Sequence, residues 1–444
     1  MSVLIHKKKK LTSFQIIILG FSCVILLGTI LLILPISNRE GTATSFLDAL
    51  FTSTSAVCVT GLVVHDTATY WSAFGQLVIL LLIQIGGMGV ITVVASLAMV
   101  SGRKISLMQR STMQEAIAAP KVGGIVRLTG FIVKVTLLIE LLGAVLMAPV
   151  FCRDFGIRGL WMALFHSVSA FCNAGFDLMG TKSAFSSLTG YAENPVINLT
   201  IMFLIIVGGI GFLTWDDIGT NKLHLHKYRM QSKVILCTTA VLLLIPAIYF
   251  FFYEFTALDT GERILSSLFQ AVTPRTAGFN TMDLTSLSDP GKLIIMALML
   301  IGGSPGSTAG GMKTTTVAVL SATALASFRR EDQVHLFDRR IDDDIVKNAV
   351  TILLMYLALS LAGGLIISIS EGLPMMDCLF ETVSAVGTVG LSLGITPSLG
   401  TLSRIVLILL MFFGRVGGLT LIFATLSGAR KNTARFPQEK ITVG

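Results

Sequence analysis

Long apolar stretches alternate with short polar segments along the chain. Five of them, Leu11–Leu34, Phe74–Val100, Pro195–Trp215, Val234–Tyr253 and Asn348–Ser370, contain no Asp, Glu, Lys or Arg. Each reaches the roughly 20 residues a helix needs to cross a hydrocarbon core of about 30 Å. Lipid offers no partner to a bare backbone, so spans of this length are helices. The pattern predicts an all-α polytopic membrane protein.

Four segments between the spans align with one another: Leu50–Leu62, Leu164–Phe176, Ser267–Phe279 and Leu379–Leu391. Three carry Ser-Ala at one distance before a glycine (Ser55-Ala56 before Gly61, Ser169-Ala170 before Gly175, Ser384-Ala385 before Gly390). The third departs, with Val272-Thr273-Pro274-Arg275 before Gly278 and its Leu-Phe pair one residue out of step. A second glycine cluster follows each copy. Gly61 to Gly86 is 25 residues, Gly175 to Gly208 is 33, Gly278 to Gly302 is 24 and Gly390 to Gly414 is 24. A span precedes each copy as well. The unit is span, short segment, span, repeated four times. The short segment is too short to cross and suits a re-entrant helix, whose irregular end is tolerated only where protein buries it or water lines it.

The predicted architecture is therefore four tandem helix–pore-loop–helix repeats in a pseudo-fourfold arrangement, with eight transmembrane helices and four re-entrant pore helices. The expected boundaries are an N-terminal segment 1–10, repeats at 11–121, 122–231, 232–344 and 345–428, and a C-terminal segment 429–444.

Composition sharpens the class. The 444 residues are 53% hydrophobic and 13% charged, against about 25% charged in a soluble domain. A water-soluble enzyme is excluded as the leading reading. The net charge of +8 does not point to nucleic acid, because the basic residues cluster beside spans: Lys7–Lys10, Arg103/Lys104/Arg110, Lys222/Lys227/Arg229, Arg329/Arg330/Arg339/Arg340 and Arg430/Lys431/Arg435/Lys440. The intervening connections lean acidic, which is the positive-inside pattern. It predicts cytoplasmic termini. Leu11–Leu34 exceeds the 7–15 residues or so of a signal-peptide core, so it reads as a retained first span. Six cysteines without CxxC or metal spacing predict no disulfide framework.

With this orientation each short helix enters from outside and aims its C-terminus at the middle. A helix C-terminus carries roughly half a negative charge, so four converging termini favour a cation. Glycine takes positive φ freely, which lets neighbouring carbonyls face an axis and replace an ion's hydration shell. The candidate ion-binding residues, acting through backbone carbonyls alone, are Val59, Thr60 and Gly61; Asn173, Ala174 and Gly175; Thr276, Ala277 and Gly278; and Thr388, Val389 and Gly390. The near absence of acidic side chains argues against a carboxylate ring. Glycines in spans usually serve close packing, and Gly86, Gly87, Gly208 and Gly209 are read that way.

The fourfold unit with one glycine per loop resembles the Trk/Ktr/HKT superfamily of potassium-translocating proteins. Thr273-Pro274-Arg275-Thr276-Ala277-Gly278-Phe279 together with 302–311 is most similar to the bacterial Ktr membrane subunit, and the resemblance spans essentially the whole chain. It implies a potassium-selective, multi-pass subunit of the bacterial plasma membrane, with no covalently bound cofactor and with Na+ as an open coupling or activating ion. It implies a homodimer on a cytoplasmic ring of ATP- or NAD-type nucleotide-binding regulators. Membrane lipids are the other expected partner, and nucleic acid is not. Some plant relatives carry serine at the first filter glycine and pass sodium; Gly61 argues against that here.

The third inner span, Lys292–Phe328, is broken by Gly302, Gly303, Ser304, Pro305, Gly306, Ser307, Thr308, Ala309, Gly310 and Gly311, with Lys313 following. No helix persists through that composition, so the segment is expected to line the pathway. In the fourth copy Arg415 aligns with Gly303. Charge inside a span is functional by default, and two readings stand: a cation that gates the pathway or ties the loop, and a backbone tie for stability alone. The resemblance supports the gate, because in the family this loop lies below the filter against a matching arginine. Replacing Arg415 by Ala, or deleting 306–310, is expected to raise flux with ion preference intact.

Other readings are weaker. Gly302-Gly303-Ser304-Pro305-Gly306 fits the G-x-S-x-G elbow of serine hydrolases, but no histidine lies in a later span to serve as base. The segment 306–314 misses a P-loop by one residue and lacks the preceding strand. A secondary carrier with broken helices shares the interrupted span, but its repeats are usually inverted. Sequence leaves channel-like and ion-coupled uptake open. Lys134 and Glu140 stay unassigned, as a buried pair or as packing.

Overall fold

The computed structural model describes residues 12–101, 105–117, 123–181 and 183–417. Each of its four units has a leading helix, a short helix and a trailing helix. The leading helices are Ser13–Ile33, Ile125–Phe155, Met230–Tyr249 and Asp343–Glu371. All four are long and apolar enough to cross a membrane. The short helices are Phe46–Val57, Arg158–Phe171, Thr260–Val272 and Met375–Gly387. A two-residue-per-strand hairpin, His335–Leu336 with Arg339–Arg340, is the β structure among the described residues.

Local chemistry sets many of the helix starts. Thr12 and Gln15 form a reciprocal capping box on the first leading helix. Ser45, Ser72, Asn194 and Ser288 each cap a helix through the side-chain oxygen.

The distribution of polarity is inverted relative to a soluble protein. Leu26, Leu27 and Ile30, then Leu137, Leu138 and Leu141, stand half or more exposed. Ser53, Ser55, Ser167, Ser169, Thr382 and Ser384 are completely buried. An apolar exterior around a polar centre is stable only with lipid as the solvent.

One interlock holds leading and short helices together in three units. The Ser53 hydroxyl donates to the Ile25 carbonyl at 2.7 Å, Ser167 to Glu140 at 2.6 Å and Thr382 to Ser360 at 3.0 Å. Three residues after each acceptor comes a glycine. A Cβ on Gly28 would strike the Ser53 hydroxyl, one on Gly143 would lie 2.5 Å from the Ser167 hydroxyl, and one on Gly363 would lie 3.1 Å from the Thr382 methyl. The glycines let the helices approach until hydroxyl meets carbonyl. In the third unit Gln270 takes this position, and its side-chain amide has no partner among the described residues.

The trailing helices depart from straight spans. Phe74–Val100 and Pro195–Trp215, expected as simple crossings, are bent pairs: Ala73–Met88 with Val90–Val100, and Pro195–Gly209 with Phe212–Asn221. The bends are 95° and 98°. They fall at Gly89 (φ +84°) and Gly211 (φ +90°), conformations closed to most side chains. The third trailing helix stops at Leu300 and resumes at Thr314, as its composition predicts. The fourth, Thr401–Val416, ends at Gly417, φ +86°. A positive-φ glycine thus follows the first glycine of the cluster by three residues in units one, two and four (Gly86/Gly89, Gly208/Gly211, Gly414/Gly417), and in units one and two it is the hinge. The expected segments 1–10 and 429–444 lie outside the described residues.

Candidate functional site

Each short helix runs into a loop whose backbone makes the same turn four times. Two residues before the aligned glycine the chain is left-handed in every unit: Val59 at φ +49°, Asn173 at +58°, Thr276 at +66° and Thr388 at +51°. Gly61, Gly175, Gly278 and Gly390 then follow at +91°, +68°, +78° and +92°. A left-handed residue with a side chain costs about 1–2 kcal/mol, so its recurrence in all four loops marks one backbone design.

The four loops close a ring in chain order. A Cβ built on Gly61 would lie 2.5 Å from the Ala174 carbonyl oxygen, and one on Gly175 would lie 2.8 Å from that of Ala277. One on Gly278 would strike the Val389 carbonyl, and one on Gly390 the Thr60 carbonyl. Each glycine abuts the backbone of the next loop, and the fourth abuts the first. The carbonyls of Thr60, Ala174, Ala277 and Val389 therefore lie on the seams between loops. Of the residues singled out in the sequence, Thr60, Gly61, Ala174, Gly175, Ala277, Gly278, Val389 and Gly390 meet in this ring, and the Asn173 amide reaches the Thr276 hydroxyl at 3.4 Å.

Buried hydroxyls hold the loops. Ser55 accepts from the Gly61 N–H at 3.1 Å and Ser384 from the Gly390 N–H at 3.0 Å. Ser169 donates to the Phe176 carbonyl at 2.7 Å, and in the divergent third unit Thr273 donates to the Phe279 carbonyl at 2.6 Å. The recurring Ser-Ala pair signalled this in three units; Thr273 carried no such signal. The packing assignment of Gly86, Gly87 and Gly208 agrees with the structure: their Cβ atoms would strike Val57, Cys172 and Phe171, at the ends of short helices. Gly209 has room for a Cβ, with Asn173 3.5 Å away.

The interrupting loop 302–311 lies against this ring. The Thr308 hydroxyl donates to the Phe171 carbonyl at 3.0 Å, and a Cβ on Gly310 would strike the Thr388 hydroxyl. The bent second trailing helix grips the same loop through Ser304 N–H to the Gly209 carbonyl (2.9 Å), Thr308 N–H to Gly208 (3.2 Å) and Phe212 N–H to Gly306 (2.7 Å). Arg415 donates to the carbonyls of Thr308 and Gly86, and to that of Gly87 at 3.1 Å. It joins the loop of unit three to the helix end of unit one. Lys313 donates to the carbonyls of Ala309 and Gly310 at 2.8 and 3.2 Å.

The ring separates two chambers. One, about 160 Å³, is lined by the four ring glycines with Asp66 and Asp177. The other, about 370 Å³, is lined by Gly87, Glu115, Ile117, Pro305, Lys313 and Arg415 among others. The first chamber thus carries two carboxylates, and the second carries the cations Lys313 and Arg415 with one carboxylate, Glu115. Asp66 was not singled out in the sequence. It accepts from Ala68, Thr69 and Phe185 N–H groups, and a Cβ on Gly180 would enter its carboxylate.

Two sequence alternatives dissolve. Ser304 shares a hydrogen bond with the Thr314 hydroxyl at 3.1 Å, and His166 is engaged by the Met162 carbonyl at 2.7 Å and the Leu178 N–H at 3.3 Å. Neither forms a nucleophile–base pair. Lys134 is exposed and makes no pair with Glu140, which is buried.

Four glycine-closed loops inside a lipid-facing helical shell are the framework of a membrane transport protein for cations. The family model described as TrkH, cation transport protein, matches residues 6–430, and the chain belongs to that family. It is similar to the potassium/sodium uptake protein NtpJ of Enterococcus hirae, with 39% identity over 98% of each chain. It is also similar to the Ktr system potassium uptake protein B of Bacillus subtilis, with 37% identity over 98% of this chain and 97% of that one. The solved structure of the potassium transporter TrkH from Vibrio parahaemolyticus shares the fold, with TM-score 0.72 and 20% identity over 94% of this chain and 85% of that one. The chain is a transporter and not an enzyme.

Proposed function

We propose that this chain is the potassium-translocating membrane subunit of an uptake system. The Thr60, Ala174, Ala277 and Val389 carbonyls and their neighbours replace the water around K+, and 302–311 with Arg415 gates the route. The observation that carries this is the ring: four left-handed glycines, each with its Cβ direction filled by the next loop's backbone. Such a ring leaves no side chain at the narrowing, so carbonyl oxygens are the available ligands. The acidic chamber faces the outside and the Arg415 chamber the inside, which agrees with cytoplasmic termini and the positive-inside charge pattern. The relatives named for potassium uptake support the ion.

The wider assembly follows the same reading: a homodimer in the bacterial plasma membrane, regulated by a cytoplasmic ring that binds an ATP- or NAD-type nucleotide. The relative named for potassium and sodium favours a second arrangement, in which Na+ is a coupling or activating ion of the same pathway. Sodium dependence of K+ uptake in vesicles separates the two. The test of the filter is Gly61→Ser. Its Cβ meets the Ala174 carbonyl, so K+ over Na+ discrimination is expected to weaken in liposome uptake; unchanged preference in the folded variant contradicts the assignment.

A further inference from the structure

Glu140 is a buried acid that this pathway leaves without a role. It lies within the leading helix of unit two and is 3% exposed. Three residues before Gly143, it matches Ile25 of unit one and Ser360 of unit four, which precede Gly28 and Gly363 by the same interval. At all three positions the backbone carbonyl accepts the short helix's hydroxyl. That interlock therefore needs no carboxyl, and burying one is costly unless polar partners meet it.

The Glu140 side chain reaches into a neighbouring unit instead. Its Oε2 accepts from the Gln84 amide at 3.2 Å. Its Oε1 lies 3.8 Å from the Cys172 sulfur, and Gln84 Oε1 lies 3.8 Å from the same sulfur. Both ends of this cluster matter to the pathway. Cys172 immediately precedes Asn173, the first residue of the second ring loop. Gln84 stands two and three residues before Gly86 and Gly87, whose carbonyls receive Arg415. The helix end carrying those carbonyls also presses on the cysteine, since a Cβ on Gly87 would lie 2.5 Å from its sulfur.

We infer that Glu140, acting through Gln84 and Cys172, is a positioning residue that ties the second filter loop to the helix end anchoring Arg415, so that ion selection in the ring and release of the loop below it are coupled. Carboxyl, amide and thiol form a polar bridge between units one and two, buried at Glu140 and Cys172 and half-buried at Gln84. Without it, the polar link between the second ring loop and the Arg415 acceptors runs only through the loop below, by way of Arg415 and the Thr308 hydroxyl on the Phe171 carbonyl. The inference rests on the reading of the ring as filter and of Arg415 as latch.

The test uses the full chain in liposomes, measuring K+ uptake, its inhibition by Na+ and the effect of Arg415→Ala in each background. Glu140→Leu and Gln84→Leu delete the hydrogen bond, with Glu140→Met and Gln84→Met as replacements should leucine prevent folding. Each is expected to raise the half-saturating K+ concentration about fivefold, the scale of one lost buried hydrogen bond. Each is also expected to more than halve the flux gain produced by Arg415→Ala. Glu140→Gln keeps an acceptor for Gln84, and the exchange Glu140→Gln with Gln84→Glu keeps the pair. Both are expected to stay within about twofold of the original chain, the usual scatter of neutral changes. The inference is overturned if the folded deletion variants keep the original half-saturation and the full Arg415→Ala gain, or if Glu140→Gln is as impaired as Glu140→Leu. An Arg415→Ala change without effect in the unaltered background sinks the latch reading instead.

Discussion

Arg415 is held by three backbone carbonyls from two different units. A hydrogen bond from a charged donor contributes about 1.5–3 kcal/mol, so the guanidinium is a strong tie between the unit-three loop and unit one. Removing it unties 302–311 from unit one while leaving the loop's bonds to unit two and the ring's own hydrogen bonds intact. Arg415→Ala is expected to raise K+ flux through the purified chain with the K+/Na+ preference unchanged; unchanged flux in a folded variant counts against the gate. Sequence made this residue visible because a charge inside a span is rare. Its partners were hidden, because backbone carbonyls carry no residue identity. Thr308 stood out only as one member of a broken segment, and its hydroxyl contact to Phe171 is a product of tertiary placement. Asp66 was hidden for another reason: one aspartate in a loop has no spacing to mark it.

The leading and short helices were legible from hydrophobic runs and repeat spacing, because length and apolarity alone decide whether a helix spans lipid. The bends in the trailing helices were not. The sequence marks Gly86, Gly89, Gly208 and Gly211 alike as glycines in an apolar run, yet they do different things. Gly86 and Gly208 make room for short-helix carbonyls, whereas Gly89 and Gly211 take left-handed turns that side chains resist. Sorting them needs φ, or the observation that each hinge follows its packing glycine by three residues. Gly211→Ala is expected to cost about 1–2 kcal/mol of left-handed strain and to lower the thermal unfolding midpoint in detergent. Gly209→Ala, where the backbone is helical and a Cβ has space, is expected to leave the midpoint in place. Equal behaviour of the two variants contradicts the hinge assignment.

At the scale of the molecule, the four units must close on themselves, and the closing contact joins residues far apart in sequence. Arg404 of unit four donates to Asp48 of unit one at 2.6 Å, and Asp48 also meets His65 at 3.2 Å. Both members of the Arg404–Asp48 pair are largely shielded, at 19% and 15% side-chain exposure. Asp48→Asn is expected to cost about 2 kcal/mol, the scale of a hydrogen bond between charged groups. Chemical denaturation in detergent reads this, and a change below about 0.5 kcal/mol, the range of an ordinary surface substitution, contradicts a closing role. The central claim is that the ring itself strips and holds K+. It is tested most directly by the structure of the chain with Tl+ or Rb+ in place of K+. The account predicts density on the axis between the loops ending at Gly61, Gly175, Gly278 and Gly390; ions bound elsewhere, with that axis vacant at saturating concentration, contradict it.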